Sequence, residues 1–271
     1  MSRRMRKIVL AMVILISANA AYADVSTIDA ESSLAKKAQN PVENMISVPF
    51  NNNFNFNYGQ DKQLQFVLNV KPVIPIELND SWNIITRTII PVQVQPTLPS
   101  GGYMTGLGDI NPTFFLSPAH PGKIVWGIGP SIILPTATRQ QMGQGKYSIG
   151  PALVVLTMPG HWVVGALTST TWSVGGQSSR PGIEIFTLQY FINYNLPKGW
   201  YITSQPVISA NRKPGSRYSW TVPFGAGAGR VFHIGDQALN TALEVYKNVK
   251  TPQYQSNLQV ELSISLLFPK L

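Results

Sequence analysis

The chain has 271 residues, 44% hydrophobic and 12% charged, which is apolar material for a large core with few charges for a surface facing water. The absence of cysteine excludes disulfides and thiolate metal sites, and three scattered histidines, His120, His161 and His233, show no metal-ligand spacing. A net charge of +9 raises the question of a nucleic-acid partner, and the placement of the basic residues answers it.

Arg3, Arg4, Arg6 and Lys7 precede an apolar run over 8–16, and Ala21, Tyr22 and Ala23 follow in the small-residue pattern of a signal peptidase site. We read residues 1–23 as a signal peptide; the apolar run is about half the roughly 20 residues that a membrane-crossing helix needs. Its removal takes four of the 21 basic residues and none of the 12 acidic ones, leaving a net charge of +5. No basic cluster with interleaved aromatics remains, so no nucleic-acid partner is expected.

Residues 24–44 form a separate N-terminal segment. Within it 28–39 favours helix, with Leu34, Ala35, Lys36, Lys37 and Ala38, and Asn40 with Pro41 ends it. The pattern then changes to period two and stays so through residues 45–271. Phe50, Phe54, Phe56 and Tyr58 alternate with Asn51, Asn53, Asn55 and Asn57. Leu64, Phe66, Leu68, Val70 and Ile74 alternate with Gln63, Gln65, Asn69 and Lys71, and Leu258 to Phe268 repeats the arrangement.

Twelve such segments are expected, at 45–58, 62–77, 82–95, 107–117, 123–135, 147–158, 161–174, 183–196, 200–210, 217–233, 238–249 and 257–268. Their connections alternate between tight turns rich in Pro, Gly, Asn and Asp and longer loops, the first hairpin at 59–61 excepted. That alternation matches short periplasmic turns and longer outer loops. Trp82, Trp162 and Trp200 fall beside the short turns, and Trp172 and Trp220 toward the long loops, as interfacial girdles require; Trp126 is not placed by this scheme.

No stretch after Ile16 is long and apolar enough for a membrane helix, so a membrane-spanning mature chain must use strands closed into a barrel. A soluble sandwich or lipocalin-like barrel would show the same alternation with its apolar face turned inward. The polar face decides between them: it is mostly Asn, Gln, Ser and Thr rather than the Lys and Glu of a solvated strand. The expected fold is therefore all-β, a transmembrane antiparallel up-and-down barrel of about 12 strands with a short N-terminal periplasmic helix, in the outer membrane.

Four ionisable residues, Lys71, Arg87, Glu244 and Glu261, fall on the polar face about seven to nine residues from the short-turn end, near mid-membrane depth. Their strands are the second, third, eleventh and twelfth, and closure brings these to either side of the first, with Asn55 expected between them. Two readings stand for this cluster: a network tying the barrel seam, or a polar constriction that selects solutes. Gly225, Gly227 and Gly229 lie within a strand pattern with no helix following, and are read as small lumen-facing residues that make room, not as a nucleotide cradle. No histidine falls beside a serine on a shared face, so the chain is not expected to be an enzyme, and no cofactor is expected.

Several stretches resemble a known family. GLGDINPTFFLSP (106–118), GIGPSIILPTAT, KYSIGPALVV, NYNLPKGWYITSQPVISAN (193–211) and VPFGAGAGRVF occur in order, after the lead-in LAKKAQNPVENMISVPF (34–50). Together they are similar to the bacterial outer-membrane barrel family named for the meta-pathway of phenol degradation, over about 34–270. The resemblance implies an outer-membrane barrel that takes up small molecules, hydrophobic or aromatic ones included; it supplies no catalytic residues. One departure is that Phe268 is followed by Pro269, Lys270 and Leu271, which displaces the terminal aromatic of barrel-assembly signals.

The expected function is a passive channel or transporter for small solutes, and the alternative is a structural barrel or surface receptor acting through its outer loops. The expected partners are outer-membrane lipids, the barrel-assembly machinery and a small-molecule solute. Residues 24–44 are expected to block the periplasmic mouth.

Overall fold

The computed structural model describes residues 25–97, 101–213 and 220–268; the expected signal peptide, residues 1–23, and Pro269 to Leu271 lie outside them. Helix α1, Val25–Ala38, precedes twelve antiparallel strands. These are β1 (Ile46–Tyr58), β2 (Gln63–Val70, continued as Val73–Asn79), β3 (Trp82–Pro96) and β4 (Tyr103–Leu107, continued as Asn111–Pro118). Next come β5 (Ile124–Ile133), β6 (Lys146–Thr157), β7 (Trp162–Gly176) and β8 (Glu184–Asn195). The series ends with β9 (Trp200–Ser204, continued as Val207–Asn211), β10 (Trp220–Ile234), β11 (Gln237–Lys250) and β12 (Leu258–Phe268).

Each strand pairs with its sequence neighbours, and β12 closes on β1 from Ile46 opposite Phe268 to Phe56 opposite Leu258. Closure leaves no unpaired edge, the condition lipid imposes on strands. The twelve expected segments are present with ends shifted by a few residues. Three of them are interrupted: β2 at Lys71 and Pro72, β4 at 108–110, and β9 at Gln205 and Pro206. Proline cannot donate to the ladder, so Pro72 and Pro206 mark two of these breaks.

The faces sort as a membrane barrel requires. Ile74, Ile76, Ile128, Leu153, Ile192, Ile202, Val245 and Ile264 are exposed on the outer wall. Trp126 joins the short-turn girdle: its ring meets Trp82 edge-on at 5.9 Å, and farther round Trp162 meets Tyr194 at 4.8 Å. At the long-loop end Trp220 lies 5.9 Å from Phe186. The turn between β2 and β3 is set by Asn79, whose side-chain oxygen accepts from the Ser81 and Trp82 amides at 2.9 and 3.0 Å.

The interior departs from a uniformly polar lumen. Toward the short turns, Val73, Ile85, Phe115, Val125, Val154, Leu156, Val163 and Phe191 form a buried apolar cluster inside the barrel. Their strands carry runs such as Ala152 to Leu156, where both faces are apolar; one face meets lipid and the other this packed interior. Helix α1 fills the facing side. Leu34, Ala35 and Met45 pack on Tyr201, Val231, Ala238, Ala242 and Leu267, and Val42 joins the first cluster. The helix and the turn after it therefore lie inside the barrel at its short-turn end, pinned by reciprocal amide hydrogen bonds between Gln39 and Asn195 (3.0 and 3.1 Å). Lys36 also donates to the carbonyl of Gly160. Asn40 ends the helix by accepting from the Val42 amide (3.1 Å) and donating to Glu43 (2.8 Å).

Candidate functional site

Strand register fixes which lumen residues meet. Glu244 of β11 stands opposite Glu261 of β12, and Glu261 opposite Asn53 of β1. Opposed residues share a face, so two carboxylates are placed side by side on the inner wall. Each is held by neutral donors. Glu244 accepts from Gln205 at 2.7 Å and from the Tyr246 hydroxyl, and it is only 1% exposed. Glu261 accepts from Asn51, from Ser263 at 3.1 Å and from Gln259 at 3.4 Å.

The glycine run of β10 makes this arrangement possible. A Cβ on Gly227 would lie 2.8 Å from the Glu244 side chain and would overlap the carbonyl of Leu243, and one on Gly229 would overlap the Tyr201 ring. The run gives up side-chain volume so that β11 and β9 can carry large polar groups inward, as the sequence pattern implied. Tyr201 reaches across to donate to Asn240 at 2.6 Å, and the Tyr246 hydroxyl accepts from the Gln205 amide at 3.0 Å.

The two cations lie beyond β1. Lys71 occupies the break in β2, where its backbone amide donates to Pro49 at 2.9 Å, and Arg87 stands opposite Val73 on β3. Lys71 is in electrostatic contact with Glu261, Glu244 and Arg87, so the structure brings all four charged residues together. They are not joined as a seam of ion pairs. Among the described residues neither the Lys71 ammonium nor the Arg87 guanidinium has an ion-pair or hydrogen-bond partner, whereas Arg212 and Glu184 at the rim do pair, at 3.4 Å.

Asn55 lies elsewhere. It donates to Gln65 at 3.1 Å, Gln65 donates to Gln95 at 3.3 Å, and this amide ladder continues toward the long-loop end. Asn51, four positions nearer the short turns than Asn55, is the residue of β1 that donates to Glu261. Sequence reasoning also passed over Gln205, Tyr246 and Gln189. The signal for Gln205 was the proline after it, which marks a break that turns a polar side chain inward.

Two lumen cavities meet at this cluster. The one nearer the short turns, about 130 Å³, is lined by Lys71, Arg87, Asn51 and Tyr201 and floored by residues 38–41 at the end of α1. The other, about 280 Å³, is lined by Lys71, Glu261, Ile89, Pro206, Pro223 and Tyr246. Lys71, Gln189 and Gln205 border both, so these three side chains form the neck between them. Above, the loop after β5 turns inward: the carbonyls of Gln141 and Met142 accept from Gln95 (3.3 Å) and Gln93 (3.1 Å).

No family model and no curated protein matches the sequence. Among solved structures, the chain is similar to the COG4313 outer membrane channel from Pseudomonas putida F1, with 14% identity and a TM-score of 0.59, covering 83% of this chain and 94% of that one. It is also similar to the NanC porin, with 9% identity and a TM-score of 0.52, covering 83% and 100%. The expectation that the chain is not an enzyme does not stand. Outer membrane phospholipase A from Escherichia coli also matches, at 11% identity over 83% of this chain and 97% of that one, so a barrel of this kind does not exclude catalysis. Its TM-score of 0.44 equally carries no argument for hydrolysis here. What these likenesses establish is the fold: a closed 12-stranded β-barrel of the outer-membrane channel and porin type.

Proposed function

We propose that the chain is a passive outer-membrane channel for small solutes, closed at its periplasmic end by its own N-terminal helix. The observation that carries this reading is the line of spaces down the barrel axis: an outer cavity, a neck at Lys71, an inner cavity, and α1 as the floor. In this reading residues 1–23 direct export, the barrel-assembly machinery inserts the barrel, and the short turns face the periplasm. The inner cavity is small, about 130 Å³, and three side chains stand between it and the outer one, which supports selective diffusion over an open pore. The outer cavity is lined mainly by polar residues such as Asn53, Asn69 and Gln259, and the apolar group Ile89, Pro206, Val207 and Pro223 among them supports solutes with a hydrophobic or aromatic part, in keeping with the resemblance to the phenol meta-pathway family.

Liposome swelling with a graded set of neutral sugars and small aromatic solutes tests the proposal. Permeation with a sharp size limit, faster when residues 24–44 are deleted, is the expected result. A barrel that passes no solute, with or without those residues, overturns it in favour of a structural or receptor role.

A further inference from the structure

We propose that Lys71 and Arg87 form a binding site for the carboxylate of a small organic monoanion, at the junction of the two lumen cavities. The inference deepens the channel reading by naming a solute class, and rests on that reading only for the route by which the solute arrives.

The charges inside the barrel are divided unequally. Both carboxylates have their oxygens occupied, Glu244 by Gln205 and Tyr246, and Glu261 by Asn51, Ser263 and Gln259. The cations have no such partners among the described residues, although a charged group at this depth persists by pairing or by facing a polar space. Glu261 and Glu244 act on Lys71 across a distance without taking up its donors. Three ammonium protons and the guanidinium fork are thus presented to a cavity, and a planar carboxylate is the acceptor that matches the fork.

Size and lining narrow the ligand. An apolar cavity of roughly 150 Å³ holds a benzene-sized molecule, and the inner space is about 130 Å³ with a further 280 Å³ above the neck. A carboxylate at Lys71 and Arg87 would leave its carbon body in the upper cavity, where Ile89, Pro206, Val207 and Pro223 stand beside the amides Asn53, Asn69 and Gln259. Glu261 borders the same space. It repels a second negative charge on that body, which selects monoanions over dianions.

The test is isothermal titration calorimetry of the full chain, recovered from membranes and folded in detergent, with benzoate, its neutral isostere benzamide and the dianion phthalate as probes. Benzoate is expected to bind saturably at one site, with benzamide and phthalate each at least roughly tenfold weaker, the scale of one lost charge-assisted hydrogen bond. K71M and R87M are each expected to weaken benzoate by a similar factor, and K71R to retain it. Heat-modifiable gel migration confirms that each variant is folded, and the benzoate-to-benzamide comparison stands on the unaltered chain alone. Benzamide binding as tightly as benzoate, no saturable benzoate binding, or undiminished binding by folded K71M/R87M would each overturn the site. A barrel that binds benzoate but passes no solute refutes the channel reading alone; one that passes neutral solutes but binds no benzoate refutes this site alone.

Discussion

Replacing Leu34 by alanine is expected to loosen the helix from the barrel without unfolding the barrel itself. Leu34 is 9% exposed and belongs to the buried cluster with Tyr201, Val231 and the small side chains Ala238 and Ala242, so its truncation leaves a space that the cluster cannot readily fill. A buried Leu→Ala change costs about 2–5 kcal/mol; at a site the freed helix can simply leave, the lower part of that range applies, about 2–3 kcal/mol. At about 1.4 kcal/mol per decade, the undocked population rises by roughly 30- to 150-fold. Single-channel recording in planar bilayers reads this directly as opening frequency. The unaltered chain should show rare openings, L34A many more with the same unit conductance, and the chain lacking 24–44 a permanently open level of that conductance. Lys37→Ala, on the exposed side of α1, is the control and should change nothing. If deleting residues 24–44 leaves conductance as it was, the helix is not a gate and the reasoning from its burial fails.

Other consequences are as direct. Gly227→Leu should lower barrel stability by about 1–3 kcal/mol or more, because its side chain must displace Glu244; the thermal midpoint of heat-modifiable migration measures it. Asn51→Leu removes a donor to Glu261 and should cost about 1.5–3 kcal/mol in urea titration of the folded barrel, whereas Asn55→Leu, which meets only amides, should cost less. Val245 is 47% exposed on the outer wall at the height of Glu244, so Val245→Arg should cost about 2–4 kcal/mol of folding free energy in lipid vesicles. Val249→Arg, near the outer end of the same strand, should cost about 0–1 kcal/mol, and equal penalties would mean that the apolar wall does not face lipid.

The parts of the fold that were legible in the sequence are those where lipid leaves no freedom. Outward positions such as Phe54, Ile74, Leu153, Val245 and Ile264 are mostly apolar because they face lipid, so period-two alternation and turn residues located twelve strands and their order. What fills the interior is under no such rule. The runs at Ala152 to Leu156 and Val163 to Leu167 carry apolar residues on both faces, and that loss of alternation was the available sign of a packed inner cluster. The gathering of Lys71, Arg87, Glu244 and Glu261 could be read because depth along a strand is nearly countable. Asn55 was misplaced as their neighbour because strands tilt, and register, not residue count, decides which amide meets Glu261. Gln205 escaped because a continuous strand was assumed through Pro206.

The two inner clusters also make the barrel lopsided. One wall, β2 to β8, is backed by close-packed aliphatic and aromatic side chains, whereas Leu34 and Ala35 of the helix cluster with side chains of β9 to β12 and only its end is tied to β8, at Asn195. Departure of the helix would therefore uncover a crescent along the second wall and leave the first in place. Any molecule crossing would slide past Tyr201, Val231 and Ala242 on one flank only, and changes in permeability would map onto four strands of the circumference.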